Sequence, residues 1–555
     1  VGTETKFRGS LMASHEEVPV ERKCSHNSSN SEVAPASAAS TSVAPHVVHL
    51  IAAMRILNPE VLRVTYVYQA FRNCAESFRP RARKLYHYSR KSDKIATFWS
   101  HSWHGSRWQK ISTLFLLYNG WVSVVFGTLA ALLMSALFAC GILPGFSRLA
   151  IFPEIPFSIW GLTTGILVTL LLFCFGRPKQ EVFFDRICIH PGDEALKLDA
   201  IFSLAGILKE SKEMLVLWDQ SWSSRLWCLF ELAAFLKSTV DSDSKGGARI
   251  LTVRPTWVGS CSIVAFLTLW INTLAFTTLP VSGSGGTDIL ISLVGCMVLA
   301  SVLGLSIVVA FRSYFRSVAL LEQKLQRTSF DTVHSMCCQC GHLDASGNTL
   351  VCDREALKQC VALWFGSLEA FEEYIRSKVC DAVVHDLRSK VFTKTWTLQV
   401  STPVLWGFMD LVATFIRIGW WDVVWDLGIT GLVLWLFFGP TFFQVVFCLT
   451  QRYCKRHTGG GWIMREVLLS LALLFVNLLV LLVPCVIFAL TRMFITSGVV
   501  VVPVVRPLIF SASLIFYCGM LFAAMHCFSG KHRASTRKPA KPNSHRDFGG
   551  GHTCL

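Results

Sequence analysis

The chain has 555 residues, of which 52% are hydrophobic and only 16% are charged, and its mean hydropathy is +0.48. These values exclude an ordinary soluble protein and predict an α-helical polytopic membrane protein. The net charge of +16 would also be typical of a protein that binds nucleic acid. However, Lys and Arg lie mostly beside apolar runs, as the positive-inside rule predicts for a membrane protein. We therefore expect the lipid bilayer as a partner and no nucleic acid.

Both ends of the chain are predicted to be disordered tails. Residues 1–45 are rich in Ser, Ala, Thr, Glu and Lys and have too few large apolar side chains to bury a core. They begin at Val1 without a charged segment followed by a short apolar one, so we expect no cleavable signal peptide. Residues 529–555 are basic and contain Pro and Gly, and we expect anionic lipid headgroups to attract them.

The first soluble segment, 46–120, is predicted to contain an amphipathic helix after Pro59 and a β-rich run at 95–105. The apolar runs that follow predict about eight membrane spans of roughly 20 residues each. These spans are 121–143, 157–175, 260–281, 289–311, 397–416, 426–449, 466–490 and 504–527. They form a hairpin at 121–176, a second hairpin at 258–311, and a group of four helices at 397–528.

The soluble segment between the hairpins, 177–257, has an α/β pattern. Apolar runs at 182–189 and 214–218 predict strands, the spacing at 196–208 predicts a helix between them, and 249–255 predicts a further strand. A βαβ unit implies a parallel sheet, in which ligands bind beyond the carboxyl ends of the strands. The core segment is therefore the first place to search for a site.

A second soluble block, 312–396, is predicted to comprise a basic helix, a Cys-rich turn and two helices. The last helix has an apolar face that we expect to pack on the α/β segment. Lys and Arg are concentrated in the loops on the side of these soluble segments. We therefore predict that both termini and all large soluble segments are cytosolic, and that the cysteines are mainly reduced thiols. The organelle is not indicated.

Three stretches of the soluble segments resemble the TIR family. The most specific stretch contains Trp222, Ser224, Trp227, Cys228, Leu229, Glu231 and Leu232. Residues 183–185 with Gly192 are similar to the family's second strand and the loop after it. Residues 95–105, with SerHisSerTrp at 100–103, resemble its first strand and adjoining loop, which implies that 107–117 is its first helix. The resemblance implies a flavodoxin-like domain with a parallel sheet, here split by a membrane hairpin. Asp219 and Arg225 depart from it, because they stand where the family often has serine.

The resemblance also implies a site. In TIR proteins that hydrolyse NAD, the glutamate of this motif is catalytic, and it corresponds to Glu231. A carboxylate can stabilise the positive charge that develops on ribose as the bond to nicotinamide breaks. The residues implied to line the nucleotide pocket are Ser100, His101, Asp185, Gly192 and Trp222. Structural roles are the alternative for each residue, such as a positive φ at Gly192 and a non-catalytic Glu231.

A possible metal site lies in the second soluble block. Cys337, Cys340, His342 and Cys352 have the beginning of a zinc-knuckle spacing, but a second Cys-x-x-Cys pair is missing. Free thiols are the alternative to zinc.

Three functions remain open from the sequence. The first is signalling by self-association of the TIR-like domain, with or without NAD hydrolysis. The second is a channel or transporter with a nucleotide-sensing domain, for which a carboxylate inside a span, Asp410, would be the first candidate. The third is a non-catalytic membrane scaffold, which predicts no pocket around Glu231.

Overall fold

The computed structural model describes residues 45–79, 85–149, 152–243, 249–278, 286–330, 333, 335, 353–454, 462–496 and 505–536. The strands in this part of the chain are β1 Arg63–Tyr66, β2 Arg90–Lys91, β3 Ile95–His101, β4 Phe146–Leu149, β5 Phe152–Phe157, β6 Glu181–Phe183, β7 Ser211–Trp218 and β8 Ile250–Pro255. Of the tails predicted at 1–45 and 529–555, residues 1–44 and 537–555 lie outside the described residues. Residues 529–536 continue the last helix, which ends at Thr536, so the prediction of disorder was wrong there.

The helices in the first part of the chain are α1 Pro45–Ala52, α2 Val67–Ala70, α3 Arg72–Ala75, α4 Arg107–Ala139, α5 Trp160–Phe175, α6 Asp185–Cys188, α7 Glu194–Phe202, α8 Leu204–Lys209, α9 Leu226–Asp243, α10 Trp257–Thr278 and α11 Gly286–Gln326. The later helices are α12 Asp353–Phe365, α13 Leu368–Tyr374, α14 Cys380–Ser389, α15 Lys394–Arg417, α16 Trp421–Val433, α17 Gly439–Arg452, α18 Trp462–Thr496 and α19 Val505–Thr536. Five-residue π-helical turns join α13 to α14 and α16 to α17.

Six strands form one mixed sheet in the order β2-β1-β6-β3-β7-β8. The four strands from β6 to β8 are parallel, as predicted, whereas β1 pairs antiparallel with both β2 and β6. The last five residues of β7, 214–218, are all apolar and buried, as expected for a strand that is covered on both faces. The prediction of a purely parallel sheet was therefore wrong at one edge only.

Three local predictions also need correction. The segment after Pro59 is not an amphipathic helix, because a short turn there leads into β1. The strand predicted at 182–189 ends at Phe183, and its remaining apolar residues belong to the helical turn α6. The helix predicted at 196–208 is divided into α7 and α8 at Ser203.

In the described part of the chain, seven helices are long and apolar enough to cross a membrane. They carry many exposed large apolar side chains, for example Phe126, Leu129 and Leu133 of α4, which are 54%, 55% and 59% exposed. Such surfaces are stable in lipid and not in water. The chain is therefore a membrane protein, as its composition predicts.

The second predicted span, 157–175, is the shorter apolar helix α5. Its 16 residues extend for about 24 Å, less than the ~30 Å of a bilayer's apolar core. It packs along α4, where Gly127 allows a close approach: a Cβ atom there would lie 2.0 Å from Thr169 Oγ1. The β4–β5 hairpin precedes α5 and forms a separate two-stranded sheet.

The sheet and the helix bundle share one apolar core. A single cluster of buried side chains runs from Phe98 and Met214 in the sheet to Phe311 and Trp406 in the bundle. Helix α4 is continuous from the end of the sheet domain into the span, so the predicted helix at 107–117 and the first span are one element. The sheet is thus attached to the spans through packed helices.

The helices of the second soluble block cover one side of the sheet domain. Trp364 Nε1 donates to the carbonyl oxygen of Ala52 at 2.9 Å, and the Trp364 ring lies 5.4 Å from that of Phe230. Val379 and Val383 are buried and line a small cavity beside β8. The predicted packing of this amphipathic helix on the α/β segment is confirmed.

Candidate functional site

The candidate site lies at the carboxyl edge of the sheet, the edge at which β6, β3, β7 and β8 end. Polar residues follow each of these strands: Asp185 after β6, Ser102 after β3, Asp219 after β7 and Thr256 after β8. Parallel strands bring their carboxyl ends together, so residues far apart in the sequence meet here. The helix α9 starts above this edge and contributes Glu231.

Three of the residues that the resemblance singled out are joined by hydrogen bonds. Trp222 Nε1 donates to Ser100 Oγ at 3.0 Å, and Ser100 Oγ donates to Glu231 Oε2 at 2.6 Å. Ser100 is 1% and Trp222 is 2% exposed. This triad (Trp222, Ser100 and Glu231) is therefore a connected network inside the domain.

The Glu231 carboxyl is surrounded by protein although part of its side chain remains accessible. Burial raises its pKa from the ordinary value of 4.5 to about 8, and nearby Asp185 acts in the same direction, while the hydrogen bond from Ser100 opposes the shift. At neutral pH Glu231 is therefore mostly uncharged. In this state the carboxyl lacks the negative charge with which the NAD-hydrolysis mechanism would stabilise a developing positive charge.

His101, the next residue of β3, points away from the triad. Its ring packs edge-on against Phe78 at 5.9 Å and Trp103 at 4.5 Å, and tilted against Phe184 at 5.3 Å. Burial lowers the pKa of His101 well below its usual range. Its neutral imidazole is part of an aromatic layer between β3 and β6, and the structure does not place it with Glu231.

Asp185 and Gly192 are separated by the turn α6. Burial raises the pKa of Asp185 to about 6, and its Oδ1 accepts a hydrogen bond from the Arg186 N–H at 2.7 Å. Gly192 lies in an exposed loop, where its N–H donates to His190 Nδ1 at 3.2 Å. Its φ is not positive, so the alternative role suggested for this glycine was wrong.

A second cluster at the carboxyl edge contains Lys110, which sequence reasoning missed. Lys110 is 2% exposed, its Nζ lies 3.8 Å from Asp219 Oδ2, and it also donates to the carbonyl oxygen of Ser102. Asp219 Oδ1 accepts from the N–H of Ser221 at 2.8 Å. The Lys110–Asp219 pair therefore connects the first turn of α4 to the end of β7. The position of Lys110 in the sequence could have indicated this site. Lys110 lies in the first turn of the helix that follows β3, and such a turn lies at the carboxyl edge of a parallel sheet.

A cavity of about 230 Å³ opens beside this pair. Its lining includes His104, Gly105, Asp219, Ser221, Thr256 and Ser317. It is smaller than the ~300–1,000 Å³ usual for small-molecule sites, and Glu231 does not line it. Gly105 borders the cavity, and a Cβ atom there would lie 2.0 Å from Asp219 Oδ2, so a larger residue would have to displace that carboxylate.

The predicted zinc ligands Cys337, Cys340, His342 and Cys352 all lie outside the described residues. Within the described ranges, no group of three or more His, Cys, Asp or Glu side chains could hold a metal ion. Each of the ten cysteines whose state is described is a free thiol.

Asp410 is the buried carboxylate of the span α15, and it binds the start of α5. Its Oδ1 accepts from the N–H of Gly161 at 2.9 Å and from Ser158 Oγ at 2.6 Å, and its Oδ2 accepts from the N–H of Leu162 at 2.8 Å. Ser135 Oγ of α4 also donates to Oδ1 at 3.2 Å. Asp410 thus satisfies the free N–H groups of a helix terminus that lies within the bundle.

Comparison of the chain with models of protein families, with curated proteins and with solved structures finds no match.

Proposed function

We propose that this membrane protein acts in signalling, and that its sheet domain is a TIR-like module that self-associates on the cytosolic side. The observation that carries the proposal is the triad. Its carboxyl is mostly uncharged at neutral pH, is already hydrogen-bonded by Ser100, and does not line the cavity at the carboxyl edge. These properties support a structural role for Glu231, and we therefore assign the domain to interaction and not to catalysis.

The attachment of the sheet to the spans supports a signalling role. The carboxyl edge contains Lys110 of α4 and is contacted by Lys324 of α11, which donates to the carbonyl oxygen of Gln220. Both helices continue into the membrane bundle. A change in how these spans pack would therefore move groups at the edge of the sheet directly.

Self-association can be measured on the full chain purified in detergent. We expect multi-angle light scattering to give a protein mass above that of one chain, and a mass that rises with protein concentration. Chemical crosslinking in native membranes should give the same oligomer. A single-chain mass at every concentration, without crosslinked species, would contradict the proposal.

NAD hydrolysis is the second candidate, favoured by the position of Glu231 beside Ser100 and Trp222. Nicotinamide release should be compared between the wild type, Glu231→Gln and Glu373→Gln, in which an exposed carboxylate of α13 is replaced. The interaction proposal predicts the same background rate for all three proteins. Release by the wild type and Glu373→Gln that is absent from Glu231→Gln would establish hydrolysis and refute a purely structural Glu231.

Asp410 does not support the alternative that the protein is a channel or transporter. Its two carboxylate oxygens accept four hydrogen bonds from protein groups, and it is 1% exposed. A carboxylate bound in this way stabilises the bundle and does not present a free ligand to an ion.

A further inference from the structure

A cavity of about 380 Å³ lies between α11 and α18, at the end of the bundle nearer the sheet domain. Its apolar part is lined by Leu305, Val309 and Val467, and its polar part by Arg312, Arg316 and Glu466. Val309 and Val467 are each 48% exposed, on surfaces that face lipid in a membrane. The cavity therefore has an apolar side open to the bilayer and a charged end, and we call it the Arg312 pocket.

The charged end is a built site. Arg312 is 2% exposed, and its Nη1 donates to Ser470 Oγ at 2.6 Å and to the carbonyl oxygen of Glu466 at 3.1 Å. Its Nε donates to the carbonyl oxygen of Tyr453 at 3.2 Å, just beyond the end of α17. These bonds hold the guanidinium in place at the side of the cavity.

The balance of charge at this end is positive. Arg312 Nη2 lies 2.9 Å from Glu466 Oε2, and Arg316 pairs with the same oxygen. One carboxylate thus faces two guanidinium groups, and Arg316 keeps 28% of its side chain exposed to the cavity and the surface. Two guanidinium groups beside one carboxylate leave an excess positive charge that a phosphate can neutralise with hydrogen bonds to its oxygens.

The shape of the pocket suits a lipid better than a free anion. Leu305 and Arg316 are separated by 11 residues of α11, or about 16 Å along the helix axis. A phosphate at the Arg end would therefore place a glycerol backbone and the first part of an acyl chain along Val309 and Leu305. Basic pockets between spans at the membrane surface are a known arrangement for anionic lipid headgroups.

We propose that the Arg312 pocket binds one anionic phospholipid, with the headgroup phosphate at Arg312 and Arg316 and an acyl chain along the apolar wall. This inference does not depend on the function proposed for the sheet domain. It also concerns a different part of the chain from the basic tail at 529–555.

The full chain in detergent should be titrated with dioleoyl phosphatidylserine and with dioleoyl phosphatidylcholine, and the bound lipids counted by native mass spectrometry. We expect the first phosphatidylserine to bind more tightly than the first phosphatidylcholine. Arg316→Gln should weaken the first phosphatidylserine about fivefold, whereas Arg316→Lys should retain most of the binding. Inorganic phosphate should not compete, because it lacks the acyl chain.

Two further variants separate lipid binding from folding. Glu466→Gln removes the competing carboxylate, so it should tighten phosphatidylserine binding even if it lowers thermal stability. Arg376→Gln, a matched change at an arginine paired with Glu372 in α13, should leave the affinity unchanged. Equal affinity for the two lipids would overturn the proposal, as would equal effects of Arg316→Gln and Arg376→Gln. Competition by inorganic phosphate would show that the pocket binds a free anion, and this result would also overturn the proposal of a lipid site.

Discussion

Glu231→Gln provides a test of the buried carboxyl at the carboxyl edge. The folded protein raises the pKa of Glu231 from 4.5 to about 8. Below pH 4.5 the group is protonated in both the folded and the unfolded chain, and it favours neither state. As pH rises toward 8, the unfolded chain loses the proton while the folded chain keeps it, so the free energy of unfolding decreases by about 1.4 kcal/mol per pH unit.

The total loss of stability follows from the size of the pKa shift of Glu231. The difference between 4.5 and about 8 corresponds to at most about 5 kcal/mol of lost stability above pH 8, less what residual solvent contact screens. Glutamine keeps an oxygen that accepts from Ser100 but cannot ionise. Glu231→Gln should therefore have nearly the stability of the wild type at acidic pH and become progressively more stable than it as pH rises.

Thermal unfolding in detergent, followed by tryptophan fluorescence, measures this difference. The apparent midpoints of the wild type and the variant should be compared at about pH 5.5 and about pH 8.5, with Glu373→Gln as the control for loss of an exposed carboxylate. We expect the gap between Glu231→Gln and the wild type to widen at the higher pH, with no such change for the control. A gap that is constant with pH would refute the assignment of a protonated, buried Glu231.

Two predictions concern the bundle, and both use thermal stability in detergent. Asp410→Ala leaves the N–H groups at the start of α5 unpaired. It should therefore lower the free energy of unfolding by about 3–5 kcal/mol. A loss below about 1 kcal/mol would mean that α5 does not depend on this carboxylate. Gly127→Ala places a Cβ atom 2.0 Å from Thr169 Oγ1 and should cost about 1–3 kcal/mol by forcing α4 and α5 apart. Gly519→Ala, which meets nothing within 4 Å, is the matched control, and equal stability of these two glycine variants would contradict the close helix packing.

The strands with long apolar runs could be predicted from the sequence, but the short strands could not. β3, β7 and β8 each have six or more residues, and their β-branched and aromatic side chains fit a covered sheet. β1 has four residues and β2 two, which is too short for a period to be recognised. β1 pairs with β6, which lies more than a hundred residues further along the chain, and β2 pairs with β1.

The triad and the Lys110–Asp219 pair differ in how they could be found. Glu231 and Ser100 were brought together by a family resemblance, and no periodicity in the chain would have connected them. Lys110 was missed because a lysine beside an apolar run is the usual signature of a membrane boundary. Its burial beside Asp219 follows from the start of α4 at the carboxyl edge of the sheet, where the helix predicted at 107–117 already placed it.

The first membrane hairpin also determines the order in which this protein can be made. β3 is synthesised before α4 and α5, but both of its neighbours in the sheet, β6 and β7, are synthesised after them. β3 therefore leaves the ribosome with two unpaired sides, and it remains unpaired while two apolar helices enter the bilayer. A strand exposed in this way is prone to aggregation. β3 can therefore complete its pairing only after the segment of α4 and α5 has been synthesised, and we expect a delay in membrane insertion of this segment to prolong the exposure of β3.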